Sequence, residues 1–188
     1  MTENSNDPLG TAKRLADVYG YCLDFPVVYT QGVSLSGRLR LHELAGGPSP
    51  VADIESIIGP RMAQGGEMFG DAPGAGGTAN FAGICWADEL FAVTGDAKYR
   101  KLLVETANRF APPSPTAPRA PPLDPDIRVE DFFCAGTVLG RAVSGTGDER
   151  YRDALVTFLL ACDTQQQDGL WLHCKASPYL WGRGNAFA

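Results

Sequence analysis

The sequence predicts an all-α fold, and three observations carry that prediction. A block reading Thr94-Gly95-Asp96-Ala97-Lys98-Tyr99-Arg100-Lys101-Leu102-Leu103 returns 52 residues on as Thr146-Gly147-Asp148-Glu149-Arg150-Tyr151-Arg152-Asp153-Ala154-Leu155. Apolar residues elsewhere, such as Leu15, Val18, Tyr19 and Cys22, recur at helical spacing. No segment carries the period-two alternation of a half-buried strand.

Taken in order, the first helix is expected over 10–23, with Leu15, Val18, Tyr19 and Cys22 on one buried face. Two more follow at 30–45 and 50–63. The Gly-rich stretch from Gly65 to Gly77 then interrupts the pattern. It lacks the Gly-Lys-Ser/Thr ending of a phosphate loop, so it is not read as a nucleotide site. The repeated block sets two helical hairpins, 78–93 with 96–110 and 129–145 with 148–163. Gly closes the leading helix in a left-handed conformation. Asp caps the following helix by accepting from its free N–H groups. Tyr falls three or four residues before Leu102 or Leu103, on one buried face. Between the hairpins, Ala111 to Asp126 contains Pro112, Pro113, Pro115, Pro118, Pro121, Pro122 and Pro125. The repeat spans this stretch in step, so it is read as a long loop within one domain rather than a linker.

The bulk properties narrow the function. A chain of 188 residues can bury a sizeable core. Its net charge is -6, from 16 basic and 22 acidic residues, with no basic run. A nucleic-acid surface and an anionic-membrane surface are therefore not expected. Residues 1–10 are polar, and neither a signal peptide nor a membrane span is expected. Cys22, Cys85, Cys134, Cys162 and Cys174 form no CxxC pair. An odd set of cysteines without metal spacing reads as buried free thiols in a reducing compartment, and the cytoplasm is the expected location. His173-Cys174 has no second His/Cys pair at ligand spacing, so no metal is expected. His42 has no evident partner and is read as structural.

The most chemically specific stretch is Trp181-Gly182-Arg183-Gly184-Asn185. It combines an aromatic wall, a permanently charged fork suited to carboxylates, and glycines that allow a close backbone approach. It points to an acidic small molecule as ligand.

Three blocks together resemble the unsaturated uronyl (rhamnogalacturonyl and glucuronyl) hydrolases of glycoside hydrolase families 88 and 105. The first is Tyr29-Thr30-Gln31-Gly32. The second runs from Val129-Glu130-Asp131-Phe132-Phe133-Cys134-Ala135-Gly136 to Leu139-Gly140-Arg141. The third is Gly169-Leu170-Trp171-Leu172-His173 with Trp181-Gly182-Arg183-Gly184-Asn185. The resemblance covers roughly residues 10–188. It implies an (α/α)6 barrel of six helical hairpins, about twice this length. Residues 1–188 are therefore expected to be a partial domain, the N-terminal half of that barrel, with the rest missing. A half barrel would leave inner helix faces without partners, at about 25 cal/mol per Å² of apolar surface left uncovered.

The resemblance also implies a reaction. The family removes a terminal 4,5-unsaturated uronic acid from lyase-generated oligosaccharides, with no metal or organic cofactor. An acid protonates C4, water adds at C5, and the resulting hemiketal collapses and expels the neighbouring sugar. The family's acid is an Asp two residues before an aromatic-Met pair, and a gapless match puts Glu130 there with Asp131 next. Either Glu130 or Asp131 is the catalytic acid. Adjacent helical residues point about 100° apart, so one of the two faces the substrate. A helix N-terminus favours the charged carboxylate, whereas a general acid must hold its proton near neutral pH. Burial, the adjacent like charge or the substrate carboxylate is expected to raise its pKa. Arg183 matches the residue that binds the sugar carboxylate. His173, Trp181, Asn185, Tyr29 and Phe187 match positions around the sugar ring, Phe187 standing where Trp is common. Asn80 lies near a second family carboxylate or His and cannot act as acid or base. Asp88 and Glu89 are read as a solvated face, and Trp86 as core.

Two rivals stand beside the enzyme. One is a non-catalytic helical-repeat module, or decayed relative, binding a protein or sugar through the Pro-rich loop. The departures at Glu130, Cys134, Asn80 and Phe187 keep it open. The other is a different α/α-barrel sugar enzyme, such as an epimerase, which needs a His acid/base pair that this sequence offers little for.

Overall fold

The computed structural model describes residues 7–24, 26–63, 68–69, 78–114, 116 and 127–188. These residues are all-α. The helices are α1 (Pro8–Ala16), α2 (Tyr29–Ala45), α3 (Val51–Ala63), α4 (Thr78–Phe81), α5 (Ala87–Thr94), α6 (Ala97–Phe110), α7 (Val129–Thr146), α8 (Glu149–Leu160) and α9 (Gly182–Phe187), with a 3-10 turn at Ala82–Ile84. Among the described residues, extended pairing is confined to two isolated bridges, Gln165 with Trp171 and Leu172 with Leu180. Most of the Gly-rich and Pro-rich stretches, and the roles read for them, lie outside the described residues. No described helix is long and apolar enough to cross a membrane.

The two repeat turns match bond for bond. Gly95 and Gly147 both adopt φ 70°, the left-handed region that favours glycine. Each donates its N–H over 2.8 Å, to Phe91 and Val143 respectively. Asp96 and Asp148 each accept at 3.0 Å from the backbone N–H two residues on. Thr94 and Thr146 hold the turns from within: each hydroxyl donates one helical turn back and accepts from the Asp N–H at 3.1 Å. These turns join α5 to α6 and α7 to α8, and the partners pack on each other.

The tyrosines of the repeat set the stacking. Tyr99 and Tyr151 are both buried. Tyr99 donates to Glu55 on α3 at 2.7 Å, and Tyr151 donates to Asn108 on α6 at 2.9 Å. Each copy thus reaches back to the helix before it. Arg150 adds a second tie, donating to the Ala111 carbonyl that ends α6. Leu35 and Leu39 from α2, Ile54 and Ile58 from α3, Trp86, Leu90, Leu103 and Leu139 fill the space between.

Three expectations need correction. The stripe on the first helix is not buried: Leu15, Val18, Tyr19 and Cys22 are all exposed. The helix stops at Ala16, and the chain then turns through Gly20 at φ 85°. Second, the helix expected over 78–93 is broken. Gly83 packs against Gly32 of α2, and the tight turn at Ala82–Ile84 lets Trp86 Nε1 donate to its carbonyl at 3.0 Å. Third, Asp88 and Glu89 do not form a solvated face. They are half-buried ion partners of Arg141 on α7, at 2.6 and 2.9 Å. Trp86 is core, as expected.

Candidate functional site

The three sequence blocks converge on the N-terminal end of α7. Tyr29 opens α2, Phe133 sits in the first turns of α7, and Phe187 ends α9. Their ring centroids lie 5.9 Å apart (Tyr29 to Phe133), 5.5 Å (Tyr29 to Phe187) and 5.5 Å (Phe133 to Phe187). With Thr30, Val33 and Ala186 they line an open apolar depression of about 360 Å³.

Glu130 and Asp131 separate as the helical 100° step requires. Asp131 is 0% exposed and points inward. One carboxylate oxygen accepts from the Thr78 hydroxyl, the other from the Arg128 N–H at 3.0 Å. The second bond satisfies one of the free N–H groups at the start of α7. Burial raises the Asp131 pKa, opposed by the Thr78 and Arg128 bonds and assisted by the neighbouring Glu130 charge. The same burial pushes the Cys134 thiol up to about 12.

Glu130 faces the other way. Its side chain is 17% exposed, and Oε2 lies 3.4 Å from Nε2 of His173. That contact is within ion-pair range but lacks hydrogen-bond alignment. Oε2 is thus a buried acceptor without a hydrogen-bond donor among the described residues. The segment carrying His173 is fixed by main-chain bonds. Gly169 reverses it at φ 88°, and Leu172 pairs with Leu180. The His173 N–H donates to Tyr179 O, and its own carbonyl accepts from Val129 N, both at 3.0 Å. The imidazole stacks on Tyr179 at 5.0 Å and 24° and meets the Trp181 ring at 5.7 Å and 82°.

The Trp-Gly-Arg-Gly-Asn motif divides its work. Arg183 is exposed, lies 4.2 Å over the Trp181 ring and forms no ion pair with the described residues. Asn185 is committed to the fold. Its Oδ1 accepts from Trp171 N at 2.7 Å, and its Nδ2 donates to the carbonyls of Trp171 and Trp181 at 2.8 and 3.2 Å. Gly184 is buried, and a Cβ there would stand 2.8 Å from both Val129 and Trp181. The close approach permitted by that glycine is α9 on α7, not backbone on ligand. Asn80 is likewise internal, donating to the Val27 carbonyl at 2.6 Å.

No family model, curated protein or solved structure matches this chain.

A continuous row of contacts therefore runs from Glu130 through His173 and Trp181 to Arg183. It offers a carboxyl group, an imidazole, aromatic surfaces and a cation with no ion pair among the described residues. Among the described residues no group of three or more His, Cys, Asp or Glu side chains is placed to hold a metal ion. The sequence reasoning missed Tyr179, Cys174 and Thr78. Tyr179 reaches His173 through an irregular reversal with no periodicity to reveal it. Thr78 joins Asp131 across 53 residues, and no pattern links the two.

The far half of α7 carries a separate ion cluster. Arg141 also contacts Ser36 at 3.5 Å, and Arg40 meets Glu89 at 2.5 Å, so α2, α5 and α7 are tied together. Burial raises the Asp88 pKa although Arg141 opposes it. Burial lowers the Arg141 pKa, but the two carboxylates outweigh it and the net shift is upward.

Proposed function

We propose that this chain is an unsaturated uronyl hydrolase of the six-hairpin (α/α)6 type. It would remove a terminal 4,5-unsaturated uronic acid from lyase-generated oligosaccharides. The observation that carries this reading is the meeting of three sequence-distant blocks at the N-terminal end of α7, where Glu130 has a buried Oε2 with no hydrogen-bond donor among the described residues. Glu130 is the acid in this proposal because its Oε2 has no hydrogen-bond donor among the described residues, whereas both oxygens of Asp131 are engaged. Arg183 binds the substrate carboxylate. Tyr29, Phe133 and Phe187 form the apolar edge against which the sugar ring lies.

Glu130 donates a proton to C4, and the ring oxygen stabilises the positive charge that develops at C5. Water attacks C5 and returns a proton to the carboxylate. The hemiketal then opens, and the neighbouring sugar leaves as an alcohol. His173, 3.4 Å from Oε2, stabilises the carboxylate left after the first transfer. Five free thiols fit a reducing, cytoplasmic setting for this activity.

The ultraviolet absorbance of the conjugated uronyl group tests the proposal, because hydration abolishes that chromophore. Loss of signal from a 4,5-unsaturated disaccharide is expected, abolished by Glu130→Gln and retained by Asp131→Asn. No loss across pectic, glycosaminoglycan and algal disaccharides from folded protein would overturn it. A non-catalytic helical-repeat module would then be the better reading, consistent with the structural commitment of Asn80 and Asn185.

A further inference from the structure

We propose that Cys174 is a positioning residue for His173. Its thiol donates to Nδ1 and holds the imidazole as the Nε2–H tautomer, with Nε2 on the side of Glu130. The inference rests on the proton-handling role proposed above for Glu130 and His173.

Each ring nitrogen of His173 faces one group. Sγ of Cys174 is 3.8 Å from Nδ1, and Oε2 of Glu130 is 3.4 Å from Nε2. Cys174 is fully buried, so water does not compete for the thiol. Tyr179 and Trp181 fix the plane of the ring through its face and edge, with no hydrogen bond to either nitrogen. A neutral imidazole has one donor and one acceptor nitrogen. The carboxylate that Glu130 becomes after its proton transfer only accepts, so the donor belongs at Nε2. Nδ1 is then the acceptor, and the S–H of Cys174 is the donor beside it. Which nitrogen of a histidine carries the proton is set by the hydrogen bond that the other makes.

The tautomer matters for the proposed cycle. Once Glu130 has given its proton to C4, the new carboxylate needs a donor at Oε2. An Nε2–H imidazole supplies it without becoming charged. The opposite tautomer would turn a lone pair toward the carboxylate and disfavour the transfer.

The chain has two histidines, so a 15N-histidine spectrum is assignable by comparison with a His42→Gln variant. At neutral pH, His173 is expected to show a pyridine-type Nδ1 and a pyrrole-type Nε2. Cys174→Val removes the donor at similar volume and is expected to move the Nδ1 signal, with Cys174→Ser returning it toward the wild-type position. In the hydration assay, kcat is expected to fall roughly tenfold in Cys174→Val with KM unchanged, the size of one lost hydrogen bond, and to recover in Cys174→Ser. A pyrrole-type Nδ1 in the wild type overturns the inference. So does an Nδ1 signal, or a kcat, unmoved by Cys174→Val. If the variants do not fold, the wild-type spectrum still decides. The spectra need no substrate. A chain inactive on every disaccharide but showing the expected tautomer and shifts refutes the enzyme, not the thiol–imidazole bond.

Discussion

Gly32 is the position where one methyl group does most damage. It lies on α2, one turn after Tyr29, and faces the 3-10 turn at Ala82–Ile84. A Cβ there would stand 2.3 Å from the carbonyl oxygen of Gly83, 2.7 Å from its carbon and 2.9 Å from its Cα. Carbon atoms pack best about 3.5–4.0 Å apart, so relief requires backbone to move by about 1 Å. No side chain can rotate away, because all three atoms are main chain. Overpacking of this kind costs about 1–3 kcal/mol, and the better helix propensity of alanine returns up to about 1 kcal/mol. We expect Gly32→Ala to lose roughly 1–2 kcal/mol net. Gly37, on the same helix, is the internal control. It is exposed, and nothing lies within 4 Å of its virtual Cβ. Gly37→Ala should therefore gain about 0.5–1 kcal/mol from propensity alone. Urea denaturation followed by far-UV circular dichroism measures both, with an unchanged slope certifying that the unfolded states match. Each kcal/mol corresponds to about 2–4 °C in Tm for a chain of this size. The Gly83 carbonyl also accepts from Trp86, so the indole emission of Gly32→Ala should shift while that of Gly37→Ala does not. A Gly32→Ala protein as stable as Gly37→Ala would refute the backbone contact.

Three further outcomes follow from the geometry. Gly95→Ala and Gly147→Ala should each destabilise by about 1–2 kcal/mol, and about equally, because both sit at φ 70° with no neighbour within 4 Å; unequal thermal shifts would show that the turns are not equivalent. Asn185→Ala orphans the Trp171 N–H and should cost about 1–3 kcal/mol, with red-shifted tryptophan emission as the check. The third concerns pH. The Asp131 pKa is raised above the ordinary value of 3.8, so its stability contribution is complete below that value and is lost as pH rises through the folded pKa. Urea midpoints compared between wild type and Asp131→Asn should therefore move in favour of the variant as pH rises out of the acid range, and a flat difference would contradict the burial of this group.

What the sequence disclosed and what it hid divide along one physical line. The Thr-Gly-Asp turns were legible because every bond that defines them is local, within four residues, so residue identity alone dictates it. The all-α class was legible for the same reason. The solvated-face reading of Asp88 and Glu89 failed because their partner, Arg141, lies 53 and 52 residues away, respectively. Helical spacing reveals which residues share a face and says nothing of what packs on that face. The apolar stripe on the first helix failed differently: Leu15, Val18 and Tyr19 obey the spacing, but the chain turns away before any element covers them. Asn185 and Gly184 sat in a motif that pointed to a ligand, and both serve internal contacts instead. Amides and glycines suit substrate recognition and loop fixation equally well, so only coordinates separate the two uses.

The neighbouring carboxylates of α7 show how one helix end meets two opposed demands. The N-terminus of a helix stabilises charge, which suits a cap and hinders an acid. Asp131 accepts from a backbone N–H at that terminus and is held by the Thr78 hydroxyl, so it does the capping. Glu130, one residue earlier, is carried about 100° around the helix and away from those donors. Its longer side chain brings Oε2 to His173 rather than to the free N–H groups of α7, one of which the carbonyl of His173 itself satisfies. His173 therefore acts on α7 twice, its backbone completing the helix start and its ring facing the carboxylate that the start leaves free. Moving the acid to Asp131 would require breaking the cap and finding a new acceptor for the Arg128 N–H. Moving the cap to Glu130 would empty the site. Separate residues for the two roles let the helix end be stable while the Glu130 carboxylate keeps an oxygen with no hydrogen-bond donor among the described residues.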